Sequence, residues 1–293
     1  MKKILSIDGG GIRGVIPAVV IEALEYHTGK SVAQSFDMIA GTSVGGILAL
    51  CLSNGYSGRT LVNLFRDHGK DIFPRSMLTS VKGLFAAKYH NTALRELLES
   101  YLSNKLLSES GSVVIPSYEL NIMSPFIFRS NRAKLDREYD YLAVDVALAT
   151  SAAPTYFKPA DIWSVAGRAY RCIDGGMYAN NPAMMAYIDM LKSSGPDEKF
   201  MVVSIGTGQE SISANIGGWG LSQWIRPILD VVFDGIGDTI SYELSQILDE
   251  GNYYRLQTKT KGKLDDISRI DEHTESALKI VSGPEFRALC QIL

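Results

Sequence analysis

The segment Phe36-Asp37-Met38-Ile39-Ala40-Gly41-Thr42-Ser43-Val44-Gly45-Gly46 carries an apolar run, Met38-Ile39-Ala40, straight into a Gly-Thr-Ser-Val-Gly turn. A second apolar run, Ile47 to Leu52, follows at helical length. The pattern is strand, sharp turn, helix, with Ser43 at the apex, and it matches the G-x-S-x-G nucleophile elbow. Such a turn needs small neighbours, which Gly41 and Gly45 supply. A helix beginning just after Ser43 aims its positive end at the serine oxygen and at any oxyanion beside it. The competing reading is an ordinary strand-to-helix turn whose serine caps the helix.

Upstream, residues 3–7 form a buried first strand that ends in Asp8-Gly9-Gly10-Gly11-Ile12-Arg13-Gly14, and an apolar helix runs from about Val15 to Tyr26. Consecutive glycines after a strand present backbone N–H groups, which together with the adjoining helix end bind anionic oxygens. Residues 9–14 formally match the dinucleotide fingerprint G-x-G-x-x-G. That fingerprint also wants an acidic residue at the end of the second strand. Here the second strand ends in Gly41-Thr42-Ser43, and Glu22 and Glu25 fall inside the first helix. An oxyanion hole built from the N–H groups of Gly10 and Gly11 fits better. Arg13 is then a candidate to hold a substrate phosphate or carboxylate, against the alternative of a surface ion pair.

Downstream, Tyr170-Arg171-Cys172-Ile173 reads as a short strand ending in Asp174-Gly175-Gly176. Asp174 stands at a strand terminus, where side chains of an open α/β sheet converge on a site; an aspartate forming a turn before glycine is the plainer alternative. A serine hydroxyl needs a base. Of His27, His68, His90 and His273, none follows a strand end with glycine context. The order Ser43, Asp174, His273 does match the α/β-hydrolase order. Yet Ser43 follows only the second strand, and the glycine loop precedes it by a single helix. A Ser43–Asp174 dyad therefore fits better, with Asp174 as the base and no metal or cofactor required. A His273-dependent esterase and a non-catalytic nucleotide-binding or interaction module stay open beside it.

The remaining periodicities predict helices over 56–72, 91–101, 141–150, 237–250 and 274–293. They predict strands within 112–130, at 199–205 and at 252–258, and Asn180-Asn181-Pro182 opens a helix running through Leu191. Residues 73–90 mix Pro74 and Gly83 with exposed apolar groups, and Trp219 to Phe233 is rich in large apolar side chains. Residues 73–90 and 210–235 are expected to form a lid or lipid-docking surface. The chain has 293 residues, 46% apolar and 21% charged, with no linker, so one domain is expected over 1–293. A net charge of −3 gives no basic field for a nucleic acid polymer. Cys51, Cys172 and Cys290 match neither a disulfide framework nor a zinc site, which favours a reducing, cytoplasmic setting. No run reaches the length of a membrane span.

Taken together and in order, Asp8–Gly14, Gly41-Thr42-Ser43-Val44-Gly45 and Asp174-Gly175-Gly176 resemble the patatin-like phospholipases. Ser151-Ala152-Ala153-Pro154 and Gly206-Thr207-Gly208 are also similar to features of that family. The resemblance spans residues 3 to about 210. It implies a three-layer α/β/α sandwich with a central, mostly parallel sheet, residues 211–293 being a C-terminal helical part of the same domain. It also implies a lipid acyl hydrolase of phospholipase A or lysophospholipase type, with a Ser43–Asp174 dyad and a Gly10–Gly11 oxyanion hole. Gly9, Gly14, Gly41, Gly45, Gly175 and Gly176 support those motifs. The substrate would be a membrane phospholipid met at the bilayer interface, by a protein bound peripherally. Some bacterial relatives are antiviral effectors switched on by a cyclic nucleotide, so such an activator is a further expectation, and a homo-oligomer is left open.

Overall fold

Apolar strands alternate with helices along most of this chain, and the alternation sets the architecture. The computed structural model describes residues 1–72, 87–195, 197–210 and 227–293. The N-terminal half contains β1 (Lys2–Ile7), a 3-10 turn at Gly11–Gly14, α1 (Val15–Thr28), α2 (Val32–Ser35), β2 (Met38–Gly41) and α3 (Val44–Ser53). It continues through α4 (Gly58–Ile72), α5 (Asn91–Leu102), β3 (Val113–Glu119), β4 (Ser124–Arg129), α6 (Ser130–Ala133) and α7 (Ala143–Ser151). Then come β5 (Ala160–Trp163), β6 (Ala169–Asp174), α8 (Gly176–Ala179), α9 (Ala183–Ser194), β7 (Phe200–Ile205) and β8 (Gln209–Glu210). The rest is α10 (Pro227–Ile247), β9 (Tyr253–Leu256), β10 (Lys259–Thr260), α11 (Ile270–Val281) and α12 (Pro284–Ile292).

The main sheet runs β5-β6-β3-β2-β1-β7-β9, with β4 beside β3. β1 pairs in parallel with β2 and β7, β2 with β3, and β7 with β9. The β4, β5 and β6 pairings are antiparallel. Neighbouring residues of the central strands enter different cores, because successive side chains point to opposite faces. Leu5, Ile7 and Ile39 join α1, α3, α4, α5 and α7 on one face, whereas Ile4, Met38 and Ala40 join α9 and α10 on the other. Two cores on either side of one sheet make the three layers.

Pairing geometry also creates a gap in the sheet. β4 pairs with β3 along residues 114–119, β2 pairs at 113–114, and β6 pairs at 117–119. A strand has two edges, and β4 takes the whole of one. β2 and β6 therefore share the other edge and approach each other end to end. Ile39 donates to the Ser112 carbonyl and Leu120 to the Arg171 carbonyl, so the even-numbered residues of β3 face this edge. Pro116 falls in the gap, where no strand offers a partner. Proline has no N–H to leave unpaired, and the Pro116 carbonyl accepts from Thr150 Oγ1 at 2.7 Å.

The C-terminal part departs from the sequence expectation in two ways. The helix expected over 274–293 is two helices, α11 and α12, because Gly283-Pro284 interrupts the backbone ladder and Pro284 starts the second. The strand expected at 252–258 is β9, which extends the main sheet beside β7. The helix expected at 237–250 begins earlier, at Pro227. Trp219 and Trp224, and residues 73–86 of the expected lid, lie outside the described residues. Among the described residues no helix is long and apolar enough to cross a membrane.

Candidate active site

Ser43 occupies the gap between the two strand ends. It has φ 55° and ψ −126°, a conformation that L residues rarely adopt and that marks stored strain. The elbow closes so tightly that methyl groups cannot be added. A Cβ on Gly41 would lie 2.0 Å from the Gly45 carbonyl oxygen, and one on Gly45 would lie 2.2 Å from the Ile7 carbonyl oxygen. The Ser43 N–H donates to Thr150 Oγ1 at 3.0 Å, which ties the elbow to the Pro116 carbonyl through one hydroxyl. Thr42 Oγ1 donates to the Ala179 carbonyl at 2.6 Å, locking the other side.

Asp174, the last residue of β6, enters the gap from the opposite direction. It stands at the terminus of a strand that runs antiparallel to β3. The carboxylate meets Ser43 because β6 descends towards the end of β2. Ser43 Oγ donates to Asp174 Oδ2 at 2.6 Å, and the Gly176 N–H donates to Oδ1 at 2.7 Å. Asp174 is buried. Burial pushes its carboxyl up to about 6, against the opposing pull of the Ser43 and Gly176 hydrogen bonds. A base that titrates near 6 is ionised at neutral pH and retains some proton affinity.

The glycine loop lies against the elbow. The Gly9 N–H donates to the Asn180 carbonyl at 3.2 Å, and the Gly9 carbonyl accepts from Thr207 Oγ1 at 2.6 Å. The Ile12 N–H donates to the Leu264 carbonyl at 2.8 Å. At the loop's start Asp8 and Arg255 form a buried two-pronged pair, Nη2 to Oδ2 at 2.6 Å and Nη1 to Oδ1 at 3.1 Å, and Arg255 also donates to Ser204 Oγ. Burial raises the Asp8 carboxyl above its usual range despite Arg255. The N–H groups of Gly10 and Gly11 make no hydrogen bond among the described residues, and both glycines line the same cavity as Ser43 and Asp174. The two N–H groups are therefore available to a developing oxyanion.

That cavity is lined almost wholly by apolar side chains. Its walls come from α3, α4 and α5, through Ile47, Leu64, Phe65, Leu94 and Leu98, and Asp174 is its one charged lining residue among those described. An apolar space beside a serine and a carboxylate suits a long acyl chain.

Arg13 is buried and borders a second, polar recess with Asp8, Asn180, Thr207 and Arg255; it does not line the acyl-sized cavity. His273 also lies off the cavity wall. It is buried on α11, with Nδ1 2.9 Å from Thr260 Oγ1. Burial, and then the positive charge of Arg13, push its imidazole down to about 4. The sequence reading missed Thr150, Arg255 and the side chain of Asn180. Arg255 lies in a strand without any local motif, and Thr150 lies in the last turn of a helix with no motif around it, so neither announces itself. Asn180 was visible only as part of a helix start.

Comparison with known proteins identifies the family of this chain. The family model described as patatin-like phospholipase matches residues 5–187. Patatin-like protein 2 of Arabidopsis thaliana is 34% identical, over 95% of this chain and 80% of its own length. A cGAMP-activated phospholipase of Escherichia coli (strain TW11681) is 34% identical over 72% of this chain and 63% of that protein. The crystal structure of VipD from Legionella pneumophila shares the fold, with a TM-score of 0.50 and 12% identity over 96% of this chain and 66% of VipD. The chain belongs to the patatin-like phospholipase family, whose members are lipid acyl hydrolases.

Proposed function

We propose that the protein is a phospholipase of A or lysophospholipase type that works through a Ser43–Asp174 dyad. The observation that carries this reading is the 2.6 Å hydrogen bond from Ser43 Oγ to Asp174 Oδ2 at the wall of an apolar cavity. Asp174 takes the Ser43 proton as Oγ attacks the ester carbonyl, and the Gly10 and Gly11 N–H groups receive the oxyanion. The proton then passes to the leaving glycerol oxygen. Water attacks the acyl-serine with Asp174 again as base, and the fatty acid leaves. Each oxyanion donor is worth about 3 kcal/mol in the transition state. Arg13 remains a candidate for the substrate phosphate only if the headgroup reaches the polar recess that it borders.

The substrate is a membrane phospholipid, and the protein meets it peripherally at the bilayer surface. The Escherichia coli relative named as cGAMP-activated supports a cyclic dinucleotide as activator, with antiviral defence as the setting. The His273-dependent alternative is disfavoured by the burial of that ring and its bond to Thr260. The test is hydrolysis of mixed phospholipid vesicles with and without cGAMP, together with fluorophosphonate labelling of Ser43. Ser43→Ala and Asp174→Asn should reduce turnover at least about 1,000-fold, and His273→Ala should retain most of it. Full activity in either dyad variant, or loss in His273→Ala alone, refutes the dyad.

A further inference from the structure

The dyad reading leaves one chemical requirement unmet. Once an acyl chain fills the apolar cavity, that cavity excludes water, yet the acyl-serine must be hydrolysed. A polar route must reach the ester from another side.

The recess behind the glycine loop has that character. It is lined by Asp8, Thr207, Gln209, Arg255 and Gln257 among others, and its dimensions suit about one water molecule. Asn180 lines both this recess and the acyl cavity. Its backbone carbonyl holds the Gly9 N–H, which fixes its position. Its side chain is uncommitted. The residue is 6% exposed, and its Oδ1 is buried with no hydrogen-bond partner among the described residues. The neighbouring Asn181 behaves differently. Its carboxamide oxygen is committed, accepting from Ser6, Ser204 and Ala183, and the atom it leaves buried without a partner is the donor Nδ2. A buried amide oxygen without a partner is unfavourable, and a ligand that donates to it recovers the loss.

Position completes the case. A Cβ placed on Gly9 would stand 2.5 Å from Asn180 Oδ1 and 3.2 Å from Ser43 Cβ, so both atoms border one point in the site. We propose that the Asn180 carboxamide accepts a hydrogen bond from the water that hydrolyses the acyl-enzyme, and that this water arrives through the polar recess. The inference rests on the dyad reading above. In the step, the water oxygen bonds to the acyl carbonyl carbon while Asp174 takes a water proton. The carbon–Oγ bond then breaks, Ser43 Oγ regains the proton from Asp174, and the free fatty acid departs. Asn180 orients the water and neither gains nor loses a proton.

The test is rapid-quench kinetics with a 4-nitrophenyl long-chain ester, which separates the acylation burst from steady-state deacylation. Asn180→Ala should keep the burst, lower the steady-state rate about 10- to 100-fold, and accumulate acyl-Ser43 visible by intact mass. Asn180→Ser, which keeps a small hydrogen-bonding group, should recover part of the rate and serves if the alanine variant fails to fold. Added methanol should shift products towards methyl ester more strongly in Asn180→Ala than in the wild type, a change in partition that a merely structural role would not cause. Equal loss of burst and steady state, or an unchanged partition, overturns the proposal while leaving the dyad standing. Failure of a fluorophosphonate to label Ser43, or full turnover in Ser43→Ala, refutes the dyad, and the Asn180 role falls with it.

Discussion

Asp174 concentrates the conflict between stability and chemistry in one side chain. Its carboxyl is raised from 3.8 to about 6 by burial. The unfolded chain therefore loses this proton at lower pH than the folded protein does. The group's contribution to stability is most favourable below about 4 and declines as pH rises through 6. At roughly 1.4 kcal/mol per pKa unit, the ionised carboxylate costs the fold about 3 kcal/mol at neutral pH. Asp174→Asn should accordingly raise the melting temperature at pH 7–8, with the gain vanishing near pH 4, while abolishing turnover. Melting curves across pH check the first, and ester hydrolysis checks the second. In the wild type, kcat/KM should fall about tenfold per pH unit below 6, since only the ionised base accepts the Ser43 proton.

At the level of elements, the glycine loop is held from a distance by β9. Arg255 reaches from that strand to Asp8 at the end of β1, and the pair is largely buried, with Asp8 3% and Arg255 15% exposed. Removing one partner of a buried pair leaves an uncompensated charge and costs about 3–5 kcal/mol, whereas neutralising both costs less. Arg255→Gln should therefore be less stable than the Asp8→Asn/Arg255→Gln double variant, as measured by urea unfolding. The same pair lets residues after 250 influence the glycine loop, although they are nearly the full chain length away in sequence. Thr150 works similarly from α7, joining the Ser43 N–H to the Pro116 carbonyl across the gap in the sheet.

Across the whole molecule, the apolar cavity exists because α3, α4 and α5 stand off from the strand ends and face each other with leucine, isoleucine and phenylalanine. Its depth should set chain-length preference. Leu97 lines it from α5 without being fully buried, so Leu97→Trp should shorten the space without dismantling the core. The ratio of kcat/KM for sixteen-carbon over four-carbon esters should fall about tenfold, equivalent to about two methylenes at 0.8 kcal/mol each. The sequence alone determined the strand–elbow–helix at Ser43, the glycine loop after β1 and the aspartate that ends β6, because each is a local backbone pattern that needs glycine in fixed places. It also determined the sheet class, through apolar runs alternating with amphipathic helices. Only the tertiary structure decided that β2 and β6 meet end to end on one edge of β3, that Arg255 and Thr150 brace the site, and that Asn180 turns an uncommitted amide towards it. Those features depend on which strands share an edge and which distant side chains meet there, and such pairings leave no period or motif in the chain.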